Sequence, residues 1–159
     1  MAIIVNENSY ITIDEADVIL EYAFNTDTWI ASSDTDKEKA LKVATRNIDN
    51  LSLQGVKYSE AQLLEFPRNL TRIYLNDAVG VVPARVKEAV AIEGAKILTD
   101  LNNSVEVLKL QGIKSQSIEG TSYTIDKNTM DATRKRTDTV SKDTKILLKG
   151  YIKTTFDRR

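Results

Sequence analysis

The chain has 159 residues, 22 Lys and Arg against 23 Asp and Glu, 42% apolar residues, and neither Cys nor His. That length fits one domain with a sizeable core. The missing residue types exclude disulfides, thiolate metal sites, and imidazole as general base or zinc ligand. Charge is uneven: residues 1–125 carry 12 basic and 18 acidic groups, and residues 126–159 carry 10 and 5.

Thr12-Ile13-Asp14-Glu15 has the spacing of a capping box, in which the Thr hydroxyl and the Glu side chain each satisfy a backbone N–H of the other. Ile13, Ala16, Ile19 or Leu20, and Ala23 follow at helical spacing, predicting a first helix over 13–24, with Phe24 and Trp29 beyond it plugging the core. Thr35-Asp36-Lys37-Glu38 reads as a second capping box, followed by the stripe Ala40, Leu41, Ala44, Ile48 and Leu51, with Gly55 as a stop. Ser59 to Gln62 offers a cap for a short third helix that ends near Phe66, because Pro67 disfavours helix at its predecessor. Residues 68–77 read as loop with one extended piece, Ile73 to Leu75.

Pro83 suits the first turn of a helix, where its missing N–H costs nothing. Val86, Ala89, Val90, Glu93, Ile97, Leu98 and Leu101 then define the longest helix, 83–102, the expected spine of the core. Glu93 interrupts that stripe, so it either snorkels or pairs. Ile113–Ile118 and Thr121–Ile125, separated by Glu119-Gly120, form a hairpin pattern of polar alternation that is marginal alone in water. Between Asp126 and Lys145 only Met130, Ala132 and Val140 are apolar, too few to offset ordering. Ile146, Leu147, Leu148 and Tyr151 give a final helical turn or two before a basic end. The expected architecture is a mainly α helical bundle with a β-hairpin and an extended C-terminal arm. Residues 1–125 form the body, with the hairpin near 113–125, and 126–159 a mobile loop and docking arm.

The chemistry fails at each step. Asp14 with Glu15, and Asp34 with Asp36, stand where helix starts favour acids. Asn25 to Asp36 lacks the central Gly and ligand spacing of a calcium loop. No Gly-rich phosphate loop occurs. A helix-turn-helix reading fails because Ala61 to Pro67 holds no Arg, Lys or Asn to reach base edges. Arg134-Lys135-Arg136 is the one basic cluster; no aromatic lies within ten residues of it, so a loop tip or a donor to a neighbouring subunit suits it better than base stacking. We therefore expect no enzyme, cofactor or metal. With no apolar run long enough for a membrane and no signal peptide, the chain is expected to stay in the cytoplasm where it is made.

Several short pieces occur in order: Ser9-Tyr10-Ile11-Thr12-Ile13-Asp14-Glu15-Ala16-Asp17, Ala44-Thr45-Arg46-Asn47-Ile48-Asp49, Gln54-Gly55-Val56-Lys57, Leu64-Glu65-Phe66-Pro67-Arg68, Val81-Val82-Pro83-Ala84-Arg85-Val86, and Gly112-Ile113-Lys114-Ser115. The series, over about Ser9 to Tyr123, resembles the head–tail connector (adaptor, or head-completion) proteins of tailed bacteriophages, many of which carry a DnaT-like single-stranded-DNA-binding description. The resemblance implies a virion protein made in the host cytoplasm, a homo-oligomeric ring of usually twelve copies under the portal, a stopper or tail-completion protein on the other face, and DNA passing through the lumen. On that reading the portal-docking arm is carried by Arg134, Lys135, Arg136, Leu147, Leu148, Tyr151, Phe156, Arg158 and Arg159. Subunit contacts fall to Ile113, Ser115, Ser117 and Tyr123 of the hairpin. The alternative is a single-stranded-DNA-binding accessory protein, for which the basic tail is the physical support.

Overall fold

The computed structural model describes residues 2–70, 78–102, 115–118, 121–124 and 140–153. Its described elements are α1 (Ile13–Leu20), α2 (Asp27–Ala31), α3 (Asp34–Asp49), β1 (Val56–Lys57), β2 (Arg68–Asn69), α4 (Ala84–Asn102), β3 (Ser115–Ile118), β4 (Thr121–Thr124) and α5 (Lys142–Leu147). The fold is mainly α: α4 is the spine, and α1, α2, α3 and α5 all pack on it. Two antiparallel pairs complete the inventory. β1 meets β2, and β3 meets β4 in the register Ser115↔Thr124, Gln116↔Tyr123, Ser117↔Ser122, Ile118↔Thr121, as the hairpin pattern predicts.

The first capping box forms: Thr12 Oγ1 accepts from the Glu15 N–H at 3.1 Å and Glu15 Oε2 accepts from the Thr12 N–H at 3.0 Å. α1 ends at Leu20, four residues short of expectation, and Asn25 then takes a positive φ of 61°. Phe24 consequently points to solvent and is 94% exposed, not a core plug. Trp29 plugs the core as expected, from α2, a helix of five residues and so too short to show a period. Its indole N–H donates to Asp17 Oδ1 at 2.7 Å, and Lys37 Nζ lies 5.3 Å from the ring centroid while pairing with Asp17 at 3.3 Å. Gly94 on α4 makes the room: a Cβ there would lie 3.1 Å from Leu41 Cδ2 and 3.5 Å from the Trp29 ring.

The second cap is Ser33, not Thr35. Its hydroxyl accepts from the Asp36 N–H and donates to Asp36 Oδ2, the same three-residue logic shifted two places. Ala40, Leu41, Ala44 and Ile48 of α3 are buried as the stripe requires. The helix stops at Asn50, so Gly55 is not its terminator. Gly55 instead has φ +70° and lies where β1 meets β2; a Cβ would stand 2.1 Å from the Asn69 carbonyl oxygen.

No third helix forms over 59–66. The Gln62 side chain accepts from the Ser59 N–H and donates to the Leu64 and Pro67 carbonyls, so it takes over the hydrogen bonds a helix would have made. The Phe66–Pro67 peptide is cis. Phe66 is buried edge-on between Tyr10 and Tyr151, with ring centroids at 5.9 and 5.4 Å. The extended piece expected at Ile73 to Leu75 lies outside the described residues.

The largest departure concerns the C-terminal arm. Residues 140–153 belong to the body: Val140, Thr144, Leu148 and Tyr151 are all buried. Glu93 resolves its conflict by pairing. Its Oε2 accepts from the Ser141 N–H at 2.9 Å and from Thr144 Oγ1 at 2.7 Å, tying the start of α5 to the middle of α4. Beyond α5, the Gln54 N–H donates to the Tyr151 carbonyl at 2.7 Å and the Lys153 N–H to the Ser52 carbonyl at 2.8 Å, sewing the segment to the strap before β1.

Candidate functional site

The buried polar groups serve the fold. The Tyr10 hydroxyl donates to Asp49 and accepts from the Phe66 N–H at 3.0 Å, while Asp49 also accepts from the Glu65 N–H at 3.3 Å. Burial, then the Asp49 charge, pushes the Tyr10 phenol far above its usual range, and burial raises the Asp49 carboxyl. The node therefore clamps the 65–67 turn onto α3. Among the described residues no cluster of His, Cys, Asp or Glu could hold a metal. Two of the acids at helix starts, Glu15 and Asp36, are likewise spoken for. Lys87 donates to Glu15 at 2.7 Å and holds its carboxyl low, and hydrogen bonds from Ser33 and Lys39 do the same for Asp36.

A shallow apolar cleft of about 200 Å³ lies between α3 and α4, lined by Val43, Ile97, Leu98 and Leu101 with Asp36 and Lys39. Ligand pockets commonly span about 300–1,000 Å³ and converge several polar groups, so this cleft is small for that purpose.

Two surfaces remain. The first is acidic. Residues 1–36 hold eight acids and no Lys or Arg, and three of those acids, Glu15, Asp17 and Asp36, pair with Lys87, Lys37 and Lys39. Large apolar side chains of the same segment are exposed: Val18 is 65% exposed, Tyr22 85%, Phe24 94% and Ile30 71%. The second is basic. Segment 140–153 carries four lysines against one acid, and Lys142, Lys149 and Lys153 are exposed, as is Ile146.

The docking-arm expectation needs correction here. Leu148 and Tyr151 are core residues, 0% and 1% exposed, because they face α4 and Phe66; they cannot meet a partner. Leu147 is half-buried. Arg134, Lys135, Arg136, Phe156, Arg158, Arg159 and Ile113 lie outside the described residues. Ser115, Ser117 and Tyr123 sit in β3 and β4, where they pair with Thr124, Ser122 and Gln116. Sequence reasoning missed the acidic surface because it assigned Phe24 to the core; the cation-free run was the available signal.

The described residues form a small mainly α fold, with large apolar side chains exposed in its acid-rich first segment and lysines exposed in segment 140–153. Residues 2–158 match the profile of the family described as "Putative DnaT-like ssDNA binding protein", and the chain belongs to that family. No curated protein and no solved structure matches it. The family's description supports the single-stranded-DNA reading more than the adaptor reading, which the match does not address.

Proposed function

We propose that this chain is a structural adaptor subunit of a tailed-phage neck, one copy of a ring that joins the portal to a stopper or tail-completion protein while DNA passes through. The resemblance over Ser9 to Tyr123 supplies the setting. The observation that carries the reading is the acidic apolar surface: exposed aromatic and aliphatic side chains attract protein, and the surrounding acids repel phosphate. An acidic body also suits a subunit that DNA must slide past.

The second reading, a single-stranded-DNA-binding accessory protein, is favoured by the family description and by the exposed Lys142, Lys149 and Lys153. Three phosphate contacts on single-stranded DNA give a slope of log affinity against log salt of about −2. Titration of a labelled oligonucleotide at several salt concentrations separates the two. The adaptor predicts weak, unsaturated binding; submicromolar binding with a slope of about −2 or steeper moves the function to the second reading.

A further inference from the structure

We infer that the acidic surface of α1 and α2 receives the lysine-bearing segment 140–153 of a second copy of this chain, in a head-to-tail contact. The inference rests on reading that surface as a protein-docking face and names its occupant.

Charge is unspent on both surfaces among the described residues. Asp14, Glu21 and Asp27 are exposed and have no ion-pair partner among the described residues. Lys142, Lys149 and Lys153 are exposed and equally unpaired there. Among the described residues, each chain thus presents unpaired acids in and beside α1 and α2 and unpaired lysines in and beyond α5. The apolar groups match as well. Lys142 and Ile146 are one turn apart on α5 and Lys149 follows three residues on, so the 62% exposed Ile146 lies among the cations. Val18, Tyr22, Phe24 and Ile30 lie among the acids, and aromatic anchors of this kind carry most of the energy in protein interfaces.

The two surfaces cannot satisfy each other within one chain. Both α1 and α5 are fixed on α4, and the side chains in question face solvent. Among the described residues, a pairing of these two surfaces therefore joins different copies. Because the two patches differ, the contact is heterologous, and each copy keeps one patch free for the next. Charge complementarity fixes register and speeds encounter, and it makes assembly sensitive to salt.

The test is mass measurement by sedimentation velocity on the full chain, wild type and two double variants at exposed positions. One carries Tyr22→Ser with Phe24→Ser, the other Lys142→Glu with Lys149→Glu, and circular dichroism checks that both are folded. Wild type is expected to self-associate, more weakly by about tenfold between low and high salt. Each variant alone is expected to lose at least about tenfold in self-association, because each lacks one face. Mixed in equal amounts, the variants are expected to form one-to-one dimers and nothing larger, since the intact face of each fits the other.

A monomeric wild type at low salt overturns the inference, as does a mixture that stays monomeric or a variant that assembles like wild type. If a variant fails to fold, the salt response of wild type decides alone: assembly insensitive to salt refutes the contact. The readout involves neither portal nor DNA. Self-association through these faces without portal binding would leave this contact standing and remove the adaptor reading; portal binding by a monomeric chain would do the reverse.

Discussion

Glu93→Ala should loosen the C-terminal segment from the body. Oε2 of Glu93 is the acceptor for both the Ser141 N–H and the Thr144 hydroxyl, and Thr144 is fully buried. Truncation leaves two donors without a partner, and a buried unsatisfied group costs about 1–3 kcal/mol. With Ser141 half-buried and Thr144 buried, the combined loss is about 2–4 kcal/mol, a large fraction of the roughly 5–15 kcal/mol that holds a domain together. Glu93→Gln is the control. Its carbonyl oxygen can occupy the Oε2 position and keep both bonds in weaker form, for a loss of about 1–2 kcal/mol. Urea denaturation gives the totals, and amide hydrogen exchange places them: protection should fall first at residues 140–153 in the Ala variant. Stability within about 1 kcal/mol of wild type, or exchange that rises equally in α1 and α5, would refute the tether.

Three further expectations follow from the same contacts. Tyr10→Phe removes a hydroxyl that serves Asp49 and the Phe66 N–H together, and should cost about 2–4 kcal/mol by denaturation; a loss under about 1 kcal/mol contradicts the clamp. Lys87→Met should raise the Glu15 pKa toward the ordinary glutamate range, read by carboxyl NMR titration. Glu15's lowered value stabilises the fold above the unfolded glutamate pKa and loses that contribution as pH falls through the folded value, so the variant's deficit should be larger at pH 7 than at pH 3 and, for a partly exposed pair, below about 1 kcal/mol. Truncation after Asp126 should abolish cooperative unfolding, because it removes Val140, Leu148 and Tyr151 from the core at about 1.5–3 kcal/mol each, whereas truncation after Lys153 should leave it intact.

The long periodic elements were legible because most of each stripe is a buried face, although Leu101 at the end of α4 is 65% exposed. Ala40, Leu41, Ala44 and Ile48, and Val86, Ala89, Val90 and Leu98, are core residues read directly from spacing. The β3–β4 register followed from the Glu119-Gly120 turn in the same local way. Tertiary contacts defeated the rest. Gln62 looked like part of a helix until its side chain proved to be the partner of the surrounding backbone. Leu148 and Tyr151 looked like an exposed patch on a polar tail, because nothing local reveals that Phe66, 85 residues before Tyr151, supplies the aromatic surface they complete. The candidate surfaces were half legible: the basic segment showed in the charge count, but Phe24, in the acid-rich segment, was assigned to the interior as a residue flanking the turn after α1.

The adaptor reading is tested most directly by sedimenting the full chain through a gradient with rings of its cognate portal protein, after nuclease treatment. The account predicts that the chain comigrates with the rings in a fixed ratio. A chain that stays at the top of the gradient, separate from intact rings, would contradict it.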